Sequence, residues 1–380
     1  MPKIKYLLDE HERLRTTGIN LIASENFLSL EVKQALASDL AGRYYSYWYG
    51  GSKYASEIIE ETEGLAKKVF RVKHAIVTSL SGNMCDLAVV FAYTKPHDKV
   101  AMMTLACGGY PLGLSKFERE LLPLPANPFT FQLDVNETIR LINENGAPLT
   151  ILGASYIPFP HPVKEISEGI KETSICVYDG SHVLGLVACG NFQDPLREGS
   201  EVLLGSTHKS LYGPQGGLIL SNSDLHAEKL RKMFDFDIDQ GMGLVDNPHV
   251  NRIAALGVAL EEISKDTYYG ERVVKNAKAL ASALDDLGVP MKFKEMGFTE
   301  SHQIFLDLSE ENATSLCREL EKIGVFMDVA GRIGVAEITH IGMEVSDMDF
   351  IANVISRVYS EKTSDKLRSK VSEFVKKYMD

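Results

Sequence analysis

Cysteine, tryptophan, basic charge and long apolar runs are all scarce in this chain. Tryptophan occurs once in 380 residues, and the five cysteines (Cys85, Cys107, Cys176, Cys189, Cys317) stand at wide, irregular spacings with no C-x-x-C pair. A chain this long needs no disulfide staples, so a reducing, cytoplasmic location is expected, and no metal site is read. Lys and Arg number 40 against 52 Asp and Glu, a formal net charge of -12. Without an extended basic stripe to meet a phosphate backbone, no nucleic-acid partner is expected. The N-terminal residues alternate charge with apolar side chains and lack the run of a secretory signal. The most apolar stretch, 174–192, carries Asp179, His182 and three glycines, which suits a buried strand and turn better than a bilayer span. No membrane partner is expected.

What is present is the pattern of a folded enzyme-sized chain. Hydrophobic residues make up 44%, and the length suggests two domains. Short β-branched runs at 75–79, 100–103, 149–155, 175–179, 202–206 and 217–220 alternate with helical patterns. Nearly continuous apolar strands between helices predict an α/β fold with a mostly parallel sheet, in which ligands bind at the carboxyl ends of strands. Asn247-Pro248 opens a helix apolar nearly all round, and the domain hinge is placed there. A second amphipathic helix stops at Gly288. The order then becomes strand 304–308, helix 313–323, strands 325–329 and 333–338, and helix 347–359 with Ser346 as its cap, a smaller C-terminal α+β domain. Residues 364–378 read as a surface helix. The expected organisation is an N-terminal arm (1–25), a large domain (26–246), and an interdomain helix with the C-terminal domain (247–380).

The strongest chemical signal is Ser206-Thr207-His208-Lys209 after a buried strand, followed by Gly213-Pro214-Gln215-Gly216-Gly217 before the next. A lysine there is either a surface residue or a reactive amine at a strand's carboxyl end. The strand at 175–179 ends in Asp179, with His182 three positions on. A carboxylate at the end of a buried strand serves as a cap or structural ion pair, or faces a cationic ligand. Leu80-Ser81-Gly82-Asn83 joins a strand to a helix, where the first N–H groups either meet a simple N-cap or hold an anion. Lysine, strand-end aspartate and phosphate-sized turn together suggest pyridoxal phosphate. A carboxylate ~4 Å from its ring nitrogen, at an effective dielectric near 20, contributes roughly 4 kcal/mol, about three pKa units. The run Arg43 to Gly51 holds four of the fifteen tyrosines and the single tryptophan, as an interface patch or as donors near a cofactor. Gly331-Arg332-Ile333-Gly334 puts an arginine at the start of a buried strand, for an interdomain salt bridge or for bidentate capture of a substrate carboxylate.

Taken in order, these blocks resemble the serine hydroxymethyltransferase family, pyridoxal phosphate enzymes of fold type I, from about residue 20 to 342. The likeness rests on Leu21-Ile22-Ala23-Ser24-Glu25-Asn26, Trp48-Tyr49-Gly50-Gly51, Ser81-Gly82, Gly108-Gly109, Asp179 with His182, Thr207-His208-Lys209, the 213–217 glycines, and Arg332-Ile333-Gly334 with Ile338-Thr339. The resemblance implies that Lys209 anchors the cofactor aldehyde, next to His208, and that Asp179 pairs with the ring nitrogen. His182 and Ser155 would lie near the phenolic oxygen, and Ser81, Gly82 and Asn83 at the phosphate. Arg332, Ser24 and Tyr49 would hold the carboxylate of a small amino-acid substrate. Tyr44, Gly241 and Gly243 match pieces that a neighbouring subunit donates, so a homodimer with shared active sites is implied. The implied reaction interconverts serine, or another β-hydroxy amino acid, with glycine by retro-aldol cleavage; racemisation or amino transfer on the same cofactor is the alternative.

This chain also departs from the family pattern. The loop before Tyr49 is short, and no carboxylate occurs between Asp39 and Lys53, where the family carries a glutamate. Cys107 stands where the family stacks a histidine on the ring, Tyr110 replaces the next histidine, Gln215 replaces an arginine, and the flap before Arg332 is short. The missing glutamate and the short flap argue against tetrahydrofolate, the family's one-carbon carrier.

Overall fold

Seven strands form one sheet: β1 (His74–Ile76), β2 (Lys99–Met102), β3 (Glu120–Pro123), β4 (Leu149–Leu152), β5 (Ile175–Asp179), β6 (Val202–Ser206) and β7 (Gly217–Ser221), in the order β1-β7-β6-β5-β4-β2-β3. The structure is a computed structural model and describes residues 2–46, 48–237, 241–361 and 365–379; Tyr47 of the aromatic run and Ser364 of the last expected helix lie outside these. β6, β5, β4, β2 and β3 pair in parallel, and β7 is antiparallel to both β6 and β1. Only β7 therefore runs against the rest, and the mostly parallel α/β sheet expected from the sequence is found. Every residue of β4, β6 and β7 is buried, which is why these strands read as unbroken apolar runs. β3 was not legible, because Leu122 is its one buried residue and an exposed edge needs no apolar run.

By contacts the chain forms two compact units, Leu28–Thr267 and Met1–Phe27 with Tyr268–Asp380. In the first, the helix Val250–Lys265 packs against both Lys53–Phe70 and Leu30–Leu36. That double packing explains its all-round apolar character, with Val250, Ile253, Leu256, Leu260 and Ile263 all buried. Gly257 lets the helices approach closely, since a Cβ there would sit 2.7 Å from Thr62 Oγ1.

The second unit pairs Ile19–Asn20 in parallel with Val325–Phe326, and Gln303–Phe305 antiparallel with Arg332–Gly334. The expected strand 333–338 ends at Gly334, and Ala336–His340 is a helix. Gly334 lies so close to Ala23 that no side chain fits between them, and the Gly334 N–H donates to the Leu21 carbonyl (2.8 Å). The chain turns there, and a helix buries Ala336, Ile338 and Thr339 where a strand would have exposed alternate residues. The helix Val345–Ser360 starts from a capping box of Glu344 and Asp347, not from Ser346. The longer acid reaches the orphan N–H groups one turn earlier. Among the described residues, no helix is long and apolar enough to cross a membrane.

At the end of β4, Gly153 has φ +93°, and a Cβ there would overlap the Asp179 carbonyl. Gly146 shares the left-handed backbone (φ +60°) with open space around it. Gly146→Ala should cost about 1 kcal/mol, and Gly153→Ala at least about 2 kcal/mol. Denaturant midpoints check this, and equal costs would show that the close approach is absorbed.

Candidate functional site

β1, β2, β4, β5 and β6 run in one direction, so the segments that follow them leave the sheet at a single edge. Residues 79–83, 103–110, 153–155, 179–182 and 206–209 collect there, together with the 213–217 loop that leads into β7. Glycines let these segments touch. A Cβ on Gly82 would overlap Ser206 Oγ and lie 3.0 Å from Ser181 Oγ, and one on Gly217 would lie 2.5 Å from the Ser81 carbonyl. The helix Gly82–Tyr93 starts from Ser81, whose Oγ accepts the Met84 N–H (3.1 Å). It begins two residues earlier than the pattern suggested, so Gly82 and Asn83 occupy its first turn, where backbone N–H groups face outward for an anion.

Lys209 sits in a loop closed on itself. The Gly213 N–H donates to the Thr207 carbonyl (2.7 Å), Thr207 Oγ1 to the Pro214 carbonyl (2.6 Å) and the Thr207 N–H to the Gly216 carbonyl (3.1 Å). One strand over, Asp179 Oδ1 accepts the Ser181 N–H (2.9 Å), and Ser181 Oγ accepts the Ser206 N–H (2.9 Å). This chain of bonds sets the spacing between the acid after β5 and the lysine after β6. His182 is buried beside it. The Ser155 N–H donates to the Gly108 carbonyl (2.9 Å), which ties Ser155 to the Cys107 loop. The Cys107 thiol donates to the Ala126 carbonyl (3.2 Å), and Tyr110 Oη to Asn83 Oδ1 (3.1 Å).

Asp86 was missed in the sequence. It lies one helical turn after Gly82, on the same buried face as Cys85 and Val89, and is 3% exposed. Burial, then the nearby Asp179 charge, pushes it well above the usual carboxylate range, while Lys209 pulls the other way. The available signal was an aspartate on the apolar side of a helix, which requires a reason. Burial, with Lys209 next, holds His208 down to about 4, so its ring is neutral. Asp86 Oδ1 and His208 Nδ1 have no hydrogen-bond partner among the described residues. Orphaned polar atoms beside an amine, a carboxylate and an anion-binding helix start fit a phosphorylated pyridine aldehyde.

Other expected site residues fall outside these segments. The Tyr44 and Tyr49 rings pack on each other (4.9 Å, 31°), and both are exposed. Gly241 belongs to the hairpin of Phe236–Asp237 and Gly241–Met242, where a Cβ would meet nothing within 4 Å, and Gly243 lies against the Met233 carbonyl. In the second unit, Ser24 follows Ala23, the residue packed on Gly334 two positions after Arg332. Arg332 is 8% exposed, and its Nε donates to Asp328 Oδ2 (2.7 Å).

A parallel sheet whose carboxyl edge gathers lysine, aspartate and a Ser-Gly helix start defines a pyridoxal phosphate enzyme of fold type I. Comparison with known proteins agrees and is more specific. Residues 2–355 match the family described as serine hydroxymethyltransferase. The serine hydroxymethyltransferase of Methanothermobacter thermautotrophicus is 36% identical over 411 aligned positions, covering 99% of this chain and 93% of that protein. That of Nitrosopumilus maritimus is 37% identical over 420 positions, with the same coverage. Among solved structures, the L-threonine transaldolase of Pseudomonas fluorescens superposes with a TM-score of 0.90 at 25% identity, covering 99% of this chain and 91% of that one. The chain belongs to the serine hydroxymethyltransferase family.

Behind Gly153, whose N–H donates to His161 Nδ1 (3.2 Å), burial lowers His161 to about 4 from an ordinary 6.5. The folded protein keeps this ring neutral while the unfolded chain takes up a proton below 6.5. Its contribution to stability is therefore complete above pH 6.5 and is lost as pH falls towards 4, up to roughly 3 kcal/mol. His161→Gln should flatten the stability profile in that window. Thermal melts across it decide the matter, and parallel profiles for the two proteins would count against this origin.

Proposed function

We propose that this protein is a pyridoxal phosphate enzyme that cleaves the Cα–Cβ bond of serine or another β-hydroxy amino acid, giving glycine and an aldehyde, and that it does so without tetrahydrofolate. The observation that carries the reading is the gathering of Lys209, Asp179 and the 81–83 turn at one sheet edge, in a chain of this family. When bound, pyridoxal phosphate supplies an aldehyde for amines and a ring that takes up the electron pair left when a bond to Cα breaks. Lys209 would offer the amine for that aldehyde and would act as a base at the substrate. Asp179 would supply the negative charge that favours a proton on the ring nitrogen. Ser81, Gly82 and Asn83 bind the phosphate, and neutral His208 lines the site without adding charge. Ser155 and His182 hold the phenolic oxygen.

Arg332, with Ser24 and Tyr49, takes the substrate carboxylate and so fixes the rotation about the bond to Cα, which selects the bond that breaks. Two features support independence from folate: the absence of any carboxylate between Asp39 and Lys53, and similarity to an enzyme named as a threonine transaldolase. The relatives' alignments also run over more positions than this chain has residues, as the short loop and flap would require. A homodimer in which Tyr44, Gly241 and Gly243 serve the neighbour's site accords with the exposure of Tyr44, Trp48 and Tyr49 and of Ile4, Leu7 and Leu8 on the first helix. A cytoplasmic location accords with five cysteines spread at wide, irregular spacings.

The test is glycine release from threonine and serine with and without tetrahydrofolate. Release from threonine at the same rate in both is expected, and a strict folate requirement would overturn the folate-independent reading. Borohydride reduction of the cofactor-treated protein should label the Lys209 peptide, and Lys209→Ala should lose turnover by several orders of magnitude; label on another lysine would remove the assignment. Arg332→Lys loses the bidentate fork, so its KM for the amino acid should rise at least about ten-fold with little change in kcat. Unchanged affinity would take Arg332 out of the carboxylate role.

A further inference from the structure

The turn before Arg332 is tight. The Gly331 N–H donates to the Asp328 carbonyl (3.2 Å), the Asp328 N–H to the Arg332 carbonyl (3.3 Å), and Gly331 takes φ +75° to close it. Arg332 opens a strand paired through Phe305, so the base of its side chain is fixed by the ladder. Its guanidinium is then held by Asp328 through Nε at 2.7 Å, with the arginine side chain 9% and the aspartate 22% exposed. A buried guanidinium needs an anion nearby, and here a turn of this chain supplies it. A guanidinium can receive a carboxylate side-on, through Nε and one terminal nitrogen, or end-on through both terminal nitrogens. Asp328 occupies the Nε edge.

We propose that Asp328 is a positioning residue for substrate binding: by holding Arg332 through Nε, it closes that edge to the substrate and sets the plane in which the terminal nitrogens meet an amino acid's carboxylate. This rests on the carboxylate role given to Arg332 above. The short turn makes the arrangement local, since residues 328–332 carry both the fork and its counter-charge.

The experiment uses the full-length, cofactor-loaded protein and measures glycine affinity from the change in cofactor absorption, along with KM and kcat. Asp328→Ala frees the guanidinium to rotate and should raise the glycine Kd and the substrate KM about ten-fold, with kcat within about two-fold. Asp328→Asn keeps an acceptor oxygen at the same place and should stay within about three-fold of the parent. Asp328→Glu displaces the carboxylate by one methylene and carries the same expectation as the alanine variant, should that fail to fold. Tighter glycine binding in both Asn and Ala variants would overturn the proposal, because Asp328 would then be only a competing anion; so would unchanged affinity in the Ala and Glu variants. Arg332→Lys measured alongside separates the two readings. If it weakens glycine binding and Asp328→Ala does not, only the positioning role fails; if Arg332→Lys has no effect, the carboxylate role fails as well.

Discussion

At the carboxyl edge of the sheet, successive segments touch where a glycine puts no side chain of its own between them, and the arrangement of the edge depends on it. Gly153 lies on the Asp179 carbonyl, Gly82 on Ser206 and Ser181, Gly185 on Ser210, and Gly217 on Ser81. A methyl group at any of these would push a strand end outward by more than a hydrogen bond tolerates. The relay from Asp179 through Ser181 to Ser206 would break first. Asp179 and Lys209 are thus placed in part by close approaches made at glycines elsewhere along the edge.

Electrostatics then limits what the edge can hold. Two ionised carboxylates in a buried space repel strongly, and burial alone disfavours either. Burial and the neighbouring Asp179 push Asp86 well above the usual carboxylate range, with Lys209 pulling the other way. His208, neutral beside Lys209, avoids two cations in one loop. In the smaller unit the same rule appears in another form: Arg332 is not left alone but balanced by Asp328 within its own turn.

Much of this was legible because the relevant residues interrupt apolar runs. Asp179 ends one strand that is otherwise apolar, Lys209 closes the polar Ser206–Lys209 segment after another, and Ser81-Gly82 breaks a strand–helix junction. Residues that act through a helix face or a turn were not legible. Asp86 looks like any polar residue in a helix until the fold shows which face is buried. The helix Ala336–His340 was hidden because Ile333 to Ile338 is as apolar as a strand, and only the approach of Gly334 to Ala23 stops the ladder. Ser346 is the commoner capping residue, but Glu344 with Asp347 satisfies two backbone groups at once. Asp328 was unremarkable in a sequence where acids outnumber bases, and its pairing with Arg332 follows from the turn at 328–332. The pairing of the Tyr44 and Tyr49 rings required the loop's path.

The smaller unit joins the beginning of the chain to its end: Ile19–Asn20 has no ladder partner until Val325–Phe326 exists, and the Leu21 carbonyl waits for Gly334. On the ribosome, the segment bearing Ser24 is therefore among the first to emerge and among the last to be paired, while the seven-stranded sheet can close as soon as Ser221 has been made. Assembly therefore has an imposed order, in which the sheet that carries Asp179 and borders Lys209 can close before the ladders of the smaller unit have both their strands.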